Sequence, residues 1–429
     1  MEKTNPKYKA YCTIIAQELK TALGCTEPIA LAYAAALMRK ELGRLPERSV
    51  IEVCGNIIKN AKSVTVPNTG GLKGIEAAVV AGFLVGDSAL ELEVLSRADD
   101  SSRPMIERYL AAHRPELRTS TKPETLYIRI TGYVDGDSAA AEIAGSHTNV
   151  TSIERNGQSV YRGGAAAARS DLREEYGQLN IRDILDFVHT AAAEDVFPYI
   201  ERQIRLNSAI SEEGLSERSY GANIGKVLRD MYPNNDYALC QAAAAAGSDA
   251  RMSGCELPVV IVSGSGNQGI TACMPVVTYG KRKGCSEEAI KRAVLLSDLV
   301  TIHQKTGIGK LSAYCGAVSA GVGAACGVAY LNGADEEVIA HTVVNGVAIA
   351  SGIICDGAKP SCAAKISTAV YAGLMGYEMF CHGQQFYSGE GIVFKGVENT
   401  IHAVGKLAHD GMAETDREIL HLMVGGSCL

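Results

Sequence analysis

The sequence has no tryptophan and only six phenylalanines in 429 residues, so aliphatic and small side chains must supply much of its core. It has no long run of lysine and arginine, and its net charge of −7 is spread along the chain. Both features argue against nucleic acid as a partner. The opening residues, MEKTNPKYKAYCTIIAQELK, lack the apolar segment and cleavage pattern of a secretory leader. Thirteen cysteines are far below the density of a disulfide scaffold. A reducing, cytoplasmic location is therefore expected, where cysteines serve as thiols, metal ligands or catalysts. The longest weakly charged stretch, 311–332, reaches membrane-spanning length. Glycine, alanine, serine and two cysteines interrupt it, so a buried helix is expected and no membrane partner.

What the chain has in quantity is small: 45 glycines and repeated alanine tracts, which suit helices in close approach. Its length allows two or three domains. The patterning predicts an α+β fold, a mainly helical domain carrying an inserted small α/β domain with an antiparallel sheet. Helices are expected over 8–23 and 28–42. From Ser49 the period changes, and SVIEVCGNIIKN and SVTVP read as strands before the turn-rich NTGGLKG and a helix over GIEAAVVAGFLVG. Between Leu126 and Arg162, strand-like runs are separated by Asp135-Gly136 and Asn156-Gly157, two strong hairpin signals. From Ile181 onward helical patterns dominate. The expected division is 1–45, N-terminal helices packing on the helical domain; 46–165, the small α/β domain; and 166–429, the helical domain itself.

Among candidate chemical groups, Cys25 in LGCTEPIALA stands at the start of an apolar helix. Thr26 is the expected N-cap, with Glu27 and Pro28 in the first turn. The positive end of the helix dipole would lower the thiol pKa, giving a base or nucleophile. The competing reading is a small apolar residue closing a helix start. Cys355 and Cys362, in ICDGAKPSC, would lie roughly 10.5 Å apart along a continuous helix. Gly357 and Pro360 point instead to a loop that can bring both sulfurs to one place, with Cys315 supplied by a neighbouring helix. The spacing is unlike that of a zinc site, and spacing by itself makes the triad a weak metal signal. Three thiolates would nevertheless leave one position of an iron–sulfur cluster open for Lewis-acid chemistry.

The run VVIVSGSGNQGITACMP contains a literal GxGxxG at Gly264, Gly266 and Gly269. A dinucleotide site needs a helix to start there within a βαβ unit. Pro275 and the β-branched VVTY argue against that helix. The expected role is an anion nest, in which backbone N–H groups with Ser263, Ser265 and Asn267 hold a small carboxylate; a purely structural turn is the alternative. Thr26 and Glu27 beside Cys25, Asn68 and Thr69 in VTVPNTGG, and His147 in AGSHTN complete the expected substrate-binding set. Asp249 and Arg251 could pair with each other or contact substrate, and His303 and Lys305 read as possible surface residues. Cys12, Cys54, Cys240, Cys255, Cys273, Cys285, Cys326 and Cys381 read as packing residues. Cys428, penultimate in the sequence, could visit an open iron.

Taken together, LGCTEPIALA, VTVPNTGG, GSHTN, SDARM, SGSGNQGITA, LSAYCGA and ICDGAKPSCAAKIS resemble the L-cysteine desulfidase family. More distantly, they resemble the catalytic chain of the iron–sulfur L-serine dehydratases. The matching segments run in order from about residue 20 to 370. The resemblance implies conversion of L-cysteine to pyruvate, ammonia and hydrogen sulfide, with a [4Fe–4S] cluster and no pyridoxal phosphate. It places Cys315, Cys355 and Cys362 at the cluster-ligand positions and Cys25 at the position of the base. Rival readings are the same elimination on L-serine, a pyridoxal-phosphate lyase using Lys305 or Lys365, and a non-catalytic cluster sensor. A homodimer is a further expectation.

Overall fold

The computed structural model describes residues 1–163, 174–309 and 311–424. Within them the chain is mainly helical with one small mixed sheet, the expected α+β class. Helix α1 (Pro6–Glu18) starts behind Asn5, whose side chain accepts from the Lys7 amide. It ends short of the expected 8–23 because Thr21–Leu23 form strand β1, which pairs antiparallel with β8 (Pro258–Val260). Helix α2 (Thr26–Leu42) follows and stops at Gly43, a left-handed C-cap.

Six strands form the sheet: β2 (Arg48–Val53), β3 (Glu116–Thr119), β4 (Tyr127–Val134), β5 (Asp137–Ala144), β6 (Val150–Arg155) and β7 (Gln158–Arg162). Their order is β3-β2-β4-β5-β6-β7, antiparallel except for the β2–β3 pair. Both expected hairpins are present, with positive φ at Asp135, Gly136, Asn156 and Gly157, the conformation whose twist matches that of the strands. The strand expected through CGNIIKN stops at Val53. Cys54 instead caps helix α3 (Gly55–Ala61), and SVTVP contributes one isolated bridge, Thr65 to Lys73. Short apolar runs of this kind are ambiguous by periodicity alone. Helix α4 (Ile75–Val85) matches its expectation, whereas α5 (Arg103–Ala112) had no clear sequence signal.

Helix α2 lies on the sheet beside α4, where Gly82 sits so close to the backbone at Ala32 that no side chain fits. This differs from the expected packing of residues 1–45 on the helical domain. Within 1–45, α1 and β1 do take that place, α1 through Tyr8 and Tyr11 against Phe187 and β1 through its pairing with β8. The helical part comprises α6 (Ile181–Thr190), α7 (Ala193–Gly214), α8 (Ile224–Met231), α9 (Asp236–Met252), α10 (Gly266–Lys283) and α11 (Glu287–Ile308). It continues with α12 (Gly316–Leu331), α13 (Glu336–Ala350), α14 (Cys362–Cys381), α15 (Val397–Lys406) and α16 (Ala413–Val424). Gly321 of α12 meets the backbone of α14 at Ala369, and Gly376 of α14 meets that of α13 at Gly346. Such crossings explain how a core without tryptophan packs densely. Helix α12 is buried along its length, and no helix among the described residues is long and apolar enough to cross a membrane. Helix α16 returns to α3: Leu420 covers Gly55, and Asp416 pairs with the buried Lys59.

Candidate active site

The site begins where β1 feeds α2. Gly24 has φ +64°, and a side chain there would overlap the Pro67 ring, so the turn requires glycine. Cys25, rather than the expected Thr26, is the N-cap of α2. Its sulfur makes no capping bond and instead donates to Glu27 Oε2 at 3.2 Å. Thr26 Oγ1 lies 3.0 Å from the same oxygen and 3.2 Å from the Gly264 carbonyl. Asn60 Nδ2 donates to Glu27 Oε1 at 3.1 Å, and His147 Nε2 stands 3.8 Å from that oxygen. Three separate segments thus surround one buried carboxylate.

Burial alone would raise the pKa of Glu27. The His147 ring and the Cys25 thiol outweigh it and leave the carboxyl at about 2, so Glu27 is ionised. The thiol of Cys25 moves the other way: burial first, then the Glu27 charge, push it well above its ordinary value, against a smaller pull from Arg251. The depressed pKa expected from the helix dipole is therefore overturned. A full negative charge in a buried site exceeds the fractional charge of a helix end.

The glycine loop faces this helix start. Ser263 and Gly264 both have positive φ, and Ser265 caps α10, its side chain accepting from the Gln268 amide. A helix does begin at Gly266 and runs through Pro275, contrary to expectation. Dinucleotide binding still fails, because β8 belongs to a two-stranded antiparallel ribbon and to no βαβ unit. Beneath the loop lies Arg251, 3% exposed. It donates to the Gly24 carbonyl at 2.7 Å and to Asn267 Oδ1 at 3.1 Å. A Cβ on Gly266 would sit 2.5 Å from Arg251 Nε, so the glycine makes room for the guanidinium. Among the described residues no carboxylate lies within ion-pair distance of Arg251, and its Nε is buried without a partner. Asp249 does not pair with it: Asp249 accepts from the Gly225 amide at 3.0 Å, and burial raises its pKa to about 6.

The three cysteines converge from two directions. Cys315 caps α12, and an isolated bridge between Tyr314 and Ile354 lays the two chain segments side by side. The Cys315 amide donates to the Ile353 carbonyl at 3.0 Å and the Cys355 amide to the Ala313 carbonyl at 2.6 Å. Cys315 and Cys355 consequently flank one bridge: the Cys315 thiol beside it holds Cys355 below the ordinary thiol range, while Cys315 is raised. Residues 356–361 form a loop, as Gly357 and Pro360 suggested, and Cys362 opens α14 with its thiol 3.6 Å from the Gly357 carbonyl. Lys305, in the last turn of α11, is buried next to this pair, and burial lowers its pKa to about 8 while both sulfurs oppose the shift. Lys59 also favours the anion on Cys355.

Among the described residues, no three His, Cys, Asp or Glu side chains close around one point as a single metal ion requires. A cluster with irons at separate corners takes thiolates that stand apart. Three cysteines flanked by buried ammonium groups are the donor chemistry of iron–sulfur binding. The residues present therefore fit such a group.

Contacts close the two halves into a ring. Gly316, next to Cys315, leaves space for Gln268 in the first turn of α10, and Gly357 packs on the Lys59 carbonyl, adjacent to Asn60 and hence Glu27. The fold thus brings together Cys25, Thr26, Glu27, His147, Ser263 to Asn267, Cys315, Cys355 and Cys362. Asn68 and Thr69 bond within their own part of the fold: Asn68 Nδ2 donates to the Leu95 carbonyl and Thr69 Oγ1 to that of Val66. They shape the loop that holds Pro67 over Gly24, and Asn68 also lines a cavity of about 740 Å³ with Leu23, Glu93 and Glu256. Sequence reasoning missed Lys59 and Asn60, which depended on recognising α3, and undervalued Arg251 and Lys305. His303 meets Glu398 at 2.6 Å. Cys381 is exposed rather than packed. Cys428 lies outside the described residues.

With this geometry in place, comparison with known proteins gives the lineage. Residues 100–421 match the family described as serine dehydratase alpha chain. A UPF0597 protein of Desulfitobacterium hafniense (strain Y51) is 48% identical over 99% of this chain and 98% of its own. Another, from Treponema denticola, is 43% identical over 99% of this chain and 100% of its own, and one from Bacteroides fragilis is 36% identical over 99% and 100%. The family is of lyase type and is typically associated with iron–sulfur clusters. On a family match covering most of its length, and on relatives aligned almost end to end, this chain belongs to the serine dehydratase alpha chain family.

Proposed function

We propose that the protein catalyses β-elimination of L-cysteine to pyruvate, ammonia and hydrogen sulfide, with Cys315, Cys355 and Cys362 holding a [4Fe–4S] cluster. The observation that carries the reading is the ring itself: a buried Cys25–Glu27 pair faces a three-cysteine pocket, with a guanidinium beside them that has no carboxylate partner among the described residues. When bound, the cluster would supply a Lewis-acidic iron to the departing sulfur.

The chain's own residues divide the remaining work. Arg251 and the backbone amides around Ser263 to Gly266 suit the substrate carboxylate. Glu27 suits the substrate ammonium, and that positive charge would offset the carboxylate field that keeps Cys25 protonated. With that field offset, the Cys25 thiol can lose its proton to solvent as the substrate enters, and the thiolate can remove the α-proton. Burial of Cys25, Glu27, His147 and Arg251 keeps water from the reacting atoms. Released aminoacrylate tautomerises to an imine and hydrolyses to pyruvate and ammonia. A cytoplasmic location belongs to the same reading.

L-Serine dehydration by the same residues is the second reading, and the family match favours it. The pyridoxal-phosphate alternative loses one of its two lysines, because Lys365 is bound to Asp356 and the Ile354 carbonyl. The test is anaerobic purification with iron and sulfide analysis, followed by rates on L-cysteine and L-serine. Bound iron and faster sulfide release from L-cysteine support the proposal. Faster turnover of L-serine shifts the substrate, and absence of iron after reconstitution overturns the mechanism.

A further inference from the structure

Lysines surround the three cysteines, and most have carboxylate partners. Lys59 pairs with Asp416, and Lys359 and Lys365 both pair with Asp356. Lys305 is different. It is 5% exposed, and among the described residues no carboxylate stands within ion-pair distance of its ammonium. The groups that act on it most strongly are the Cys355 and Cys315 sulfurs, with Glu18 contributing less.

Its position is fixed by its neighbours. Gln304 Nε2 donates to the Ser319 carbonyl at 3.2 Å, and Thr301 Oγ1 approaches the same oxygen at 3.5 Å. Ser319 lies in the first turn of α12, the helix that Cys315 caps. The last turn of α11 is thus locked to the cysteine-bearing end of α12. A buried cation without an anion is strongly unfavourable, so such a group signals an anion that belongs beside it.

We propose that Lys305 is the positioning charge of the cysteine pocket: its ammonium offsets the negative charge of the thiolate-bound cluster and helps set the cluster's reduction potential. The inference rests on the cluster reading above. A cluster with three thiolate ligands is net negative, and a substrate thiolate adds to that charge. The nearby cation favours the more negative, reduced state and retention of the bound group.

The test compares the full chain as wild type, Lys305→Met and Lys305→Arg after anaerobic reconstitution. Iron and sulfide per chain, midpoint potential and the melting temperature of the iron-free protein are measured. Lys305→Met should lower the midpoint by about 59 mV or more, a tenfold change in a one-electron equilibrium. It should also lose iron faster to a chelator, while its iron-free form melts no lower than wild type. Lys305→Arg should stay nearer the wild-type potential. A Lys305→Met protein with wild-type potential and iron retention overturns the inference, as does a lowered iron-free melting temperature with the potential unchanged. Wild-type protein that takes up no iron removes the cluster reading itself, and this inference with it.

Discussion

Cys25 and Cys315 occupy the same local position in different halves of the molecule. Each caps a buried helix rich in alanine, with extended backbone angles (φ −78°, ψ 133° and φ −69°, ψ 121°), and neither sulfur makes a capping bond. The helix end offers both about the same fractional positive charge, worth roughly 0.3–1 kcal/mol. Their neighbours separate them. Cys25 faces the Glu27 carboxylate and stays a thiol, suited to handling a proton. Cys315 faces Cys355, and lysines stabilise an anion on that pair, suited to holding a metal group. Helix geometry places a cysteine, and its burial and the charged groups packed around it decide its chemistry.

Substitutions on the two sides should separate these roles. The largest effect is expected from Cys355→Ala, which should lose both iron and turnover, whereas Cys25→Ala should keep its iron and lose about 10³-fold in rate. Iron analysis beside initial rates decides the matter, and an active, iron-free Cys355→Ala protein would refute the division. Glu27→Gln comes next. Removing the carboxylate charge should lower the Cys25 thiol pKa, seen as thiolate absorbance appearing at lower pH, and reduce turnover about 10²-fold.

The same variant carries a stability signature. Glu27 falls from 4.5 to about 2 on folding, so its contribution is fully present above pH 4.5 and disappears as pH falls through about 2. Urea unfolding should show Glu27→Gln less stable than wild type near neutrality, with the gap closing across that acid window. A gap constant with pH would mean that packing, rather than charge, sets the cost. Gly24→Ala should follow, losing about 1–3 kcal/mol from its left-handed backbone alone, with the Pro67 overlap adding to it. Gly316→Ala meets only the movable Gln268 side chain and should cost less. Denaturant midpoints that reversed this order would contradict the asymmetry. The smallest effect belongs to Cys54→Ser at the third cysteine cap. Its sulfur donates to the Thr125 carbonyl and accepts from the Tyr127 amide, both of which serine can reproduce. A change under about 1 kcal/mol and unaltered activity are expected.

Legibility from sequence followed how local each signal was. Asp135-Gly136 and Asn156-Gly157 specify their own turns, and the two hairpins appear where they were expected. The composition of 316–327 signalled a close-packed helix, and α12 is one. The cysteine set was different: its spacing was a weak signal, and its roles came from resemblance. The bridge that joins Cys315 to Cys355 depends on tertiary pairing between Tyr314 and Ile354, which no local pattern encodes. Pro275 misled because a helix with tertiary support can contain a proline that would disfavour it in isolation. CGNIIKN misled because apolar content does not distinguish a strand from a buried helix, and Lys59 and Asn60 were lost with it. The raised thiol of Cys25 was missed because Glu27, only two residues away, turns back onto the sulfur when His147 and Asn60 hold it there.

The closed ring also fixes an order of maturation. It joins Thr26, Asn60, His147, Gly264, Cys315 and Cys355, so no short stretch of chain contains the site. Contacts this distant in sequence form late, after most of the loop-closure entropy has been overcome. A half-folded chain therefore offers iron only scattered thiols. Small zinc domains fold around their metal; on the cluster reading proposed above, folding would come first here and loading would follow. Iron shortage should then leave a reserve of folded, empty protein that can be filled when the metal returns.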